Sequence, residues 1–334
     1  VVNDFKVRAP PNIKDNVMTL NSAGNKIVLY ALRTRGYGKQ LDKSKGIDVD
    51  NVGLILDNLF KNTYKQFTID DIDNLKNPVD KLVTMYKATG LEINYNNTNE
   101  LMDKYNISYE NVELSDIIML CKNVMTINAD ILKNTWNKID FNDQLWLPIE
   151  LDLSTEEPGL QFDIVFVDEG QDLSITKIKL AIKMCKPKGS VILVGDRHQA
   201  IYGFAGADVD AIPKIIDILN PKIFSLPICY RCPKSHLRIA QRFVPYIQWA
   251  TMENSGYEAI EGSVENKSLE FLIENATKGD KIVCRNSAPL VHPCFELIRK
   301  GKKATILGSD IGKGLESLMK RIGGKDLDNF NDRL

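Results

Sequence analysis

Phe162-Asp163-Ile164-Val165-Phe166-Val167-Asp168-Glu169-Gly170-Gln171-Asp172 is the stretch on which the fold turns, a largely apolar run that ends in acid. Ser190-Val191-Ile192-Leu193-Val194-Gly195-Asp196 has the same form, and Ile175 to Met184, between them, shows helical periodicity. Short runs that read as buried on both faces and alternate with helices indicate βαβ units and a parallel sheet. The alternation continues with a helix over 208–219, a strand Lys222–Leu226, a helix over 234–248 and a strand Lys281–Cys284. A helix over 288–300, a strand Ala304–Leu307 and a helix over 311–322 follow. The fold class expected is α/β.

Upstream the texture is helical. After a strand-like Val17-Met18-Thr19, Ser22 is placed to cap an apolar helix through Ile27, Val28 and Leu32. Val49, Val52, Leu56 and Leu59 share one face of a second helix. From 61 to 138 the reading is mostly helical: Pro78 opens a helix that Gly90 closes, Thr98 caps the next, and a long one runs from Leu114 to Trp136.

Composition bounds the partners. A length of 334 residues suggests two domains, and 43% hydrophobic with 26% charged residues is the balance of a soluble globular protein. No apolar run reaches the ~18 residues of a membrane span. The net charge of -1, from 43 basic and 44 acidic residues, excludes nucleic-acid binding by bulk charge, so any such binding needs a local groove or stacking. The N-terminus has no apolar signal-peptide core, and six scattered cysteines fit a reducing compartment. Cys229, Cys232 and His236 lack the second ligand pair that a zinc site needs.

In a parallel α/β sheet, ligands sit beyond the carboxyl ends of the strands. Asp168 and Glu169 stand there, and suit nucleotide hydrolysis. The first carboxylate would hold Mg²⁺ through oxygen, and the second would orient and deprotonate a water. Gln171 and Asp172 are placed to relay hydrogen bonds to that water or to a neighbouring strand. Gln199, one strand over, is placed to sense a terminal phosphate. Tyr202 and Phe204 alternate along a glycine-bearing loop and offer rings for stacking single-stranded bases, worth about 1–3 kcal/mol each. His198 and His236 have no acid and nucleophile partners for triad chemistry. Lys313 reads as a residue of a capped surface helix.

These motifs together resemble the UvrD/Rep/PcrA group of superfamily-one DNA helicases. The resemblance is carried by D-E-G-Q-D at 168–172, G-D-R-H-Q-A-I-Y-G-F-A-G-A at 195–207 and Cys229-Tyr230-Arg231-Cys232-Pro233. Thr19-Leu20-Asn21-Ser22-Ala23-Gly24 looks like the group's T-x-H-S-x-G segment, with Asn21 in place of His. Asp140-Phe141-Asn142-Asp143-Gln144-Leu145 looks like D-F-x-D-x-L. Residues 283–290 and 307–314 look like the opening of a second motor domain.

The resemblance implies a RecA-like parallel-sheet motor domain over 1–60 and 139–220, with an all-helical insertion over 61–138. Part of a second RecA-like domain would occupy 221–334. It implies ATP and Mg²⁺ as cofactors, with Asp168 on the metal, Glu169 activating water and Gln199 reading the γ-phosphate. Tyr230 would stack on adenine and Arg231 would reach the γ-phosphate. Tyr202 and Phe204 would contact single-stranded DNA, and Thr19 with Asn21 its backbone. Single-stranded or partly duplex DNA, repair, replication or recombination proteins, and the cytoplasm or nucleus are the partners and places implied.

The match has gaps. No glycine begins a G-x-x-x-x-G-K-S/T phosphate loop, whose backbone N–H groups, Lys and hydroxyl bind triphosphate. The group's late motifs are missing too, and Ala205 stands where an Arg is usual. The interior motifs stay largely intact, so the expectation is a central fragment of a helicase that does not turn over ATP efficiently by itself. The alternatives are a single-stranded DNA-binding protein without turnover and an inactive motor fold serving as an interaction scaffold.

Overall fold

A computed structural model of the protein describes residues 2–34, 50–130, 138–200, 211–286 and 288–306. Tyr202, Phe204, Ala205, Lys313 and the expected helix over 311–322 lie outside the described residues. The chain forms two compact units, Val1–Phe224 and Ser225–Leu334.

In the first unit, α1 (Val2–Arg8) precedes α2 (Leu20–Thr34). Val17-Met18-Thr19 is irregular rather than a strand. The expected Ser22 cap is also corrected: Thr19 Oγ1 accepts the Ser22 N–H at 3.0 Å, so the helix starts three residues earlier. Next come α3 (Asn51–Asn62), α4 (Ile69–Thr89), α5 (Tyr95–Tyr105) and α6 (Leu114–Ala129). Pro78 does not open α4. Thr68 and Asp71 form a reciprocal capping box ten residues before it, and Pro78 is buried inside the helix. Gly90 ends α4 in the left-handed conformation, as its position suggests. Asn94, not Thr98, caps α5; Thr98 is buried and shares a 2.6 Å hydrogen bond with Tyr86.

These four helices close around one apolar core that includes Ile55, Leu56, Leu75, Leu82, Ile117 and Leu120. The expected insertion begins at 61, but the apolar face of α3 already belongs to this core. A second core joins α2 to α7 (Asp143–Glu150) and to β1 (Phe162–Val167), through Ile27, Val28, Trp146, Leu147 and Leu180. Leu180 is on α8 (Ile175–Lys183), which leads into β2 (Cys185–Leu193).

β1 and β2 pair in parallel, from Ile164↔Ser190 to Val167↔Leu193, with a register shift between Phe162 and Ile164. The parallel pairing agrees with the sequence reading; burial on both faces does not. Val165, Val167, Val191 and Leu193 pack with α8 and α9 (Ala211–Leu219), whereas Ile164 and Phe166 on the other face are 52% and 73% exposed. The packing helices lie on one side only among the described residues.

In the second unit β3 (Ile228–Cys229) pairs in parallel with β4 (Gln248–Trp249), and α10 (Lys234–Ala240) connects them. The segments 222–226 and 281–284, expected as strands, are irregular, as is the described part of 304–307, and the helix expected to reach 248 stops at Ala240. After α11 (Met252–Ser255), segment 258–261 runs back along α10. Lys234 N donates to Ile260 O and Ser235 N to Glu261 O, both at 2.9 Å, and ion pairs Lys234–Glu258 and Arg238–Glu261 flank these bonds. Then α12 (Leu269–Asn275) packs on α13 (Val291–Arg299), and Lys302 Nζ donates to the carbonyls of Ile273, Glu274 and Ala276 at the end of α12. No helix among the described residues is long and apolar enough to cross a membrane.

Candidate functional site

Parallel pairing brings the carboxyl ends of β1 and β2 side by side. Val194 N donates to Val167 O at 2.9 Å and Gly170 N to Val194 O at 2.8 Å, so the loops 168–172 and 195–199 emerge together. Asp168 and Glu169 are exposed at the tip. Glu169 has φ +53°, in the left-handed region that a non-glycine residue enters at a cost. In the turn Gly170–Asp172 that follows, a Cβ at Gly170 would lie 2.2 Å from Leu193 Cδ2, so any other residue would have to displace that side chain.

Gln171 is the hinge of the arrangement. Its side chain is buried, donates through Nε2 to Glu169 Oε2 at 2.7 Å, and accepts the Asp196 N–H on Oε1 at 3.0 Å. Asp196 in turn accepts from Gln199 Nε2 at 2.9 Å and from His198 N at 2.9 Å. Glu169, Gln171, Asp196 and Gln199 are thus one hydrogen-bonded chain across two strands. Of the relay expected of Gln171 and Asp172, the bond from Gln171 to the neighbouring loop is seen. Asp172 Oδ1 is buried without a hydrogen-bond partner, and burial first, then the charge of Glu169, pushes this carboxyl above its usual range against the pull of Lys177.

Asp168 offers Mg²⁺ an exposed oxygen donor, but among the described residues no cluster of three or more His, Cys, Asp or Glu encloses an ion position. A single carboxylate with water and phosphate oxygens around it is a coordination this ion accepts, so the residues fit. Triphosphate finds no loop of the G-x-x-x-x-G-K-S/T kind.

Thr19 and Asn21 stand at the start of α2, held to the D-F-N-D-Q-L segment. Asn21 Nδ2 donates to Phe141 O at 2.7 Å and to Gln144 Oε1 at 3.3 Å. Gly24 lets α2 reach the backbone there, since a Cβ at that position would lie 1.9 Å from Gln144 O.

The D-x-x-D spacing itself has a local cause. Asp140 Oδ1 accepts from Asn142 N and Asp143 N at 2.7 Å, and Asp143 Oδ2 accepts from Asp140 N at 2.9 Å, a reciprocal cap for α7. Each carboxylate spends its other oxygen on Lys87 of α4, at 2.8 and 2.7 Å, and Asn51 donates to Asp143 at 2.9 Å. Lys87 is fully buried. Burial alone would lower its pKa, but Asp143 and Asp140 raise it and keep the ammonium charged. Asp143 is pushed upward by its own burial, with the Lys87 charge opposing. Thr176 Oγ1 donates to Lys87 O at 2.6 Å, which links α4 to α8. Sequence reasoning missed Lys87, although a lysine beside Leu82, Val83 and Tyr86 on an otherwise buried helix face was a signal.

Tyr230 and Arg231 belong to the second unit, exposed on the turn between β3 and α10. The sites assigned to Tyr202 and Phe204 lie outside the described residues.

Comparison with known proteins agrees with the motifs. The UvrD/REP helicase N-terminal domain family matches residues 10–218. A Mycoplasma genitalium protein named "Probable DNA helicase II homolog" is 23% identical over 251 residues, covering 69% of this chain and 32% of the relative. The Schizosaccharomyces pombe ATP-dependent DNA helicase srs2 is 22% identical, over 97% of this chain and 38% of the relative. The mitochondrial ATP-dependent DNA helicase HMI1 of Saccharomyces cerevisiae is 28% identical over 144 residues, 43% of this chain and 18% of the relative. The chain therefore spans little more than a third of these relatives at most.

Proposed function

The chain belongs to the UvrD/REP helicase family, and from that premise we propose that it supplies the hydrolytic acids and part of the DNA track of an ATP-driven translocase on single-stranded DNA. The observation that carries the reading is the pair of hydrogen bonds Gln171 makes, donating to Glu169 and accepting from Asp196 N, which ties the acid loop of one strand to the glutamine-bearing loop of the next. In this reading Glu169 takes the proton of the attacking water. Gln199 exchanges its hydrogen bond to Asp196 for one to the terminal phosphate, so the bond network reports whether that phosphate is present. Asp168 would hold Mg²⁺, which when bound supplies positive charge to the phosphate oxygens. Tyr230 and Arg231 keep the adenine-stacking and phosphate-reaching roles, Tyr202 and Phe204 stack on bases, and Thr19 with Asn21 meets the DNA backbone. The RecA-like arrangement of two motor domains with a helical insertion, and action in repair, replication or recombination, are parts of the same proposal.

The residues present contain no phosphate loop, so the reading also predicts that they do not turn over ATP by themselves. That one observation favours the second reading, binding of single-stranded DNA without turnover.

The test joins these residues to a phosphate-loop segment and measures phosphate release with and without single-stranded DNA. Glu169→Gln is expected to lower DNA-stimulated release by at least about 10²-fold while DNA affinity, read by fluorescence anisotropy, is kept. Release that ignores DNA, or that survives Glu169→Gln, defeats the first reading. DNA affinity with no release in the unsubstituted protein selects the second.

A further inference from the structure

Cys229 is the last residue of β3, and Cys232 precedes Pro233, which opens α10. With β4 parallel to β3, the C-x-x-C pair occupies the strand-to-helix turn of a β–α–β unit. Neither the hydrolytic reading nor the DNA reading uses the two thiols.

Three features of this turn point to one chemistry. The spacing sets the thiols three residues apart on one tight turn, and the groups acting on the Cys229 sulfur include the Cys232 thiol and the backbone N–H groups of Cys232 and Arg231. Both residues are half-buried rather than sealed, unlike Cys121 in the helical core. Among the described residues no group of three or more His, Cys, Asp or Glu gathers around the pair. The thiols are also unequal. Burial raises the Cys229 thiol, but the N–H groups, the Cys232 thiol and the Arg231 charge outweigh it and bring it below the usual range. Cys232 is raised, first by burial and then by donating to Cys229. A partly exposed, thiolate-prone cysteine beside a resolving one is what thiol–disulfide exchange requires, and such pairs in reducing compartments are mostly transient and regulatory.

We propose that Cys229 and Cys232 form a reversible dithiol–disulfide site, whose oxidised form closes a short covalent ring across Tyr230 and Arg231. With a disulfide such as oxidised glutathione as oxidant, the Cys229 thiolate attacks one sulfur, forming a mixed disulfide and expelling one glutathione thiolate. That thiolate takes the Cys232 proton. The Cys232 sulfur then attacks Cys229 Sγ, forms the protein disulfide and releases the second glutathione. Two protein thiols are oxidised and one disulfide is reduced to two thiols. The consequence for ATP turnover rests on the roles proposed for Tyr230 and Arg231; the redox site itself does not.

The experiment treats the whole chain with oxidised glutathione and maps the peptides by mass spectrometry. A peptide holding Cys229 and Cys232, lighter by two hydrogens, free of glutathione and restored by dithiothreitol, is the result expected. Cys232→Ser should trap glutathione on Cys229. Hydrogen exchange at the Tyr230 and Arg231 amides should slow about tenfold on oxidation, because the ring removes open conformations of the turn. Two free thiols, separate glutathione adducts on both, or a crosslink to another cysteine overturns the site, and unchanged exchange in the crosslinked protein overturns the restraint. Both readouts are independent of nucleotide, so a failed ATPase test leaves them standing.

Discussion

Gln171 holds Glu169 by a 2.7 Å hydrogen bond from its buried amide, and the same amide accepts the Asp196 N–H from the next loop. A glutamate on a left-handed residue between a strand and a tight turn has few fixed neighbours; this bond sets its direction.

Gln171→Ala removes both contacts at once. The Asp196 N–H is left without its acceptor in a half-buried place, which costs about 1–3 kcal/mol. Urea denaturation of the chain should show that loss. In a protein completed with a phosphate loop, the fall should appear in kcat for phosphate release rather than in KM, because the residue orients the proposed base.

Lys87 balances two buried carboxylates. Lys87→Met would leave Asp140 and Asp143 facing each other without a cation, a loss of about 3–5 kcal/mol by the usual measure of a broken buried pair. Adding Asp143→Asn to the methionine variant should recover part of it, since an amide oxygen still accepts from Asn51 and from Asp140 N. Chemical denaturation of the two variants checks the order.

Gly24→Ala puts a methyl carbon into the Gln144 carbonyl, and backbone cannot step aside as a side-chain tip can. We expect a loss of about 2–3 kcal/mol. The Asn21 bonds to Phe141 and Gln144 should stretch with it, so single-stranded DNA affinity should fall together with melting temperature.

Acid should loosen the second unit where segment 258–261 meets α10. The Glu261 carboxyl is held below its usual range by hydrogen bonding to Arg238 and by the nearby charges, and Glu258 by its bonds to Lys234 and the Met252 N–H. A carboxylate depressed in the folded state contributes stability above its unfolded pKa, about 4.3, and loses it as pH falls through the lower folded value. Protection of the Lys234 and Ser235 amides, which bond to Ile260 and Glu261 carbonyls, should therefore drop below about pH 4.

How much of this could be read from residues alone varies by element. β1 was legible because its apolar run ends in acids, and the Asp168–Gln199 neighbourhood followed from parallel pairing. β2 starts five residues earlier than its apolar part, at Cys185, because Lys186, Pro187 and Gly189 carry no strand signature and pair through a shifted register. Pro78 looked like a helix start, but Thr68 and Asp71 capped α4 first and Leu75, Val79 and Leu82 held it through the proline. Lys87 stands out by its apolar neighbours on the helix, but its pairing does not, because its partners lie 53 and 56 residues away in sequence. Phe166 and Ile164 were read as buried since an all-apolar strand hides which face is covered. The alternation of exposure along β1 is a tertiary fact.

The left-handed backbone at Glu169 sets two kinds of fitness against each other at one position. Glycine or asparagine would sit there with less strain, by about 1 kcal/mol, and neither carries a base. Under the role proposed for Glu169, a lineage that stopped needing the carboxylate would gain a sturdier protein by losing it, whereas one that used it as a base would keep the less comfortable residue. Glu169 is therefore the position at which a drifting, inactive descendant of this chain would first declare itself.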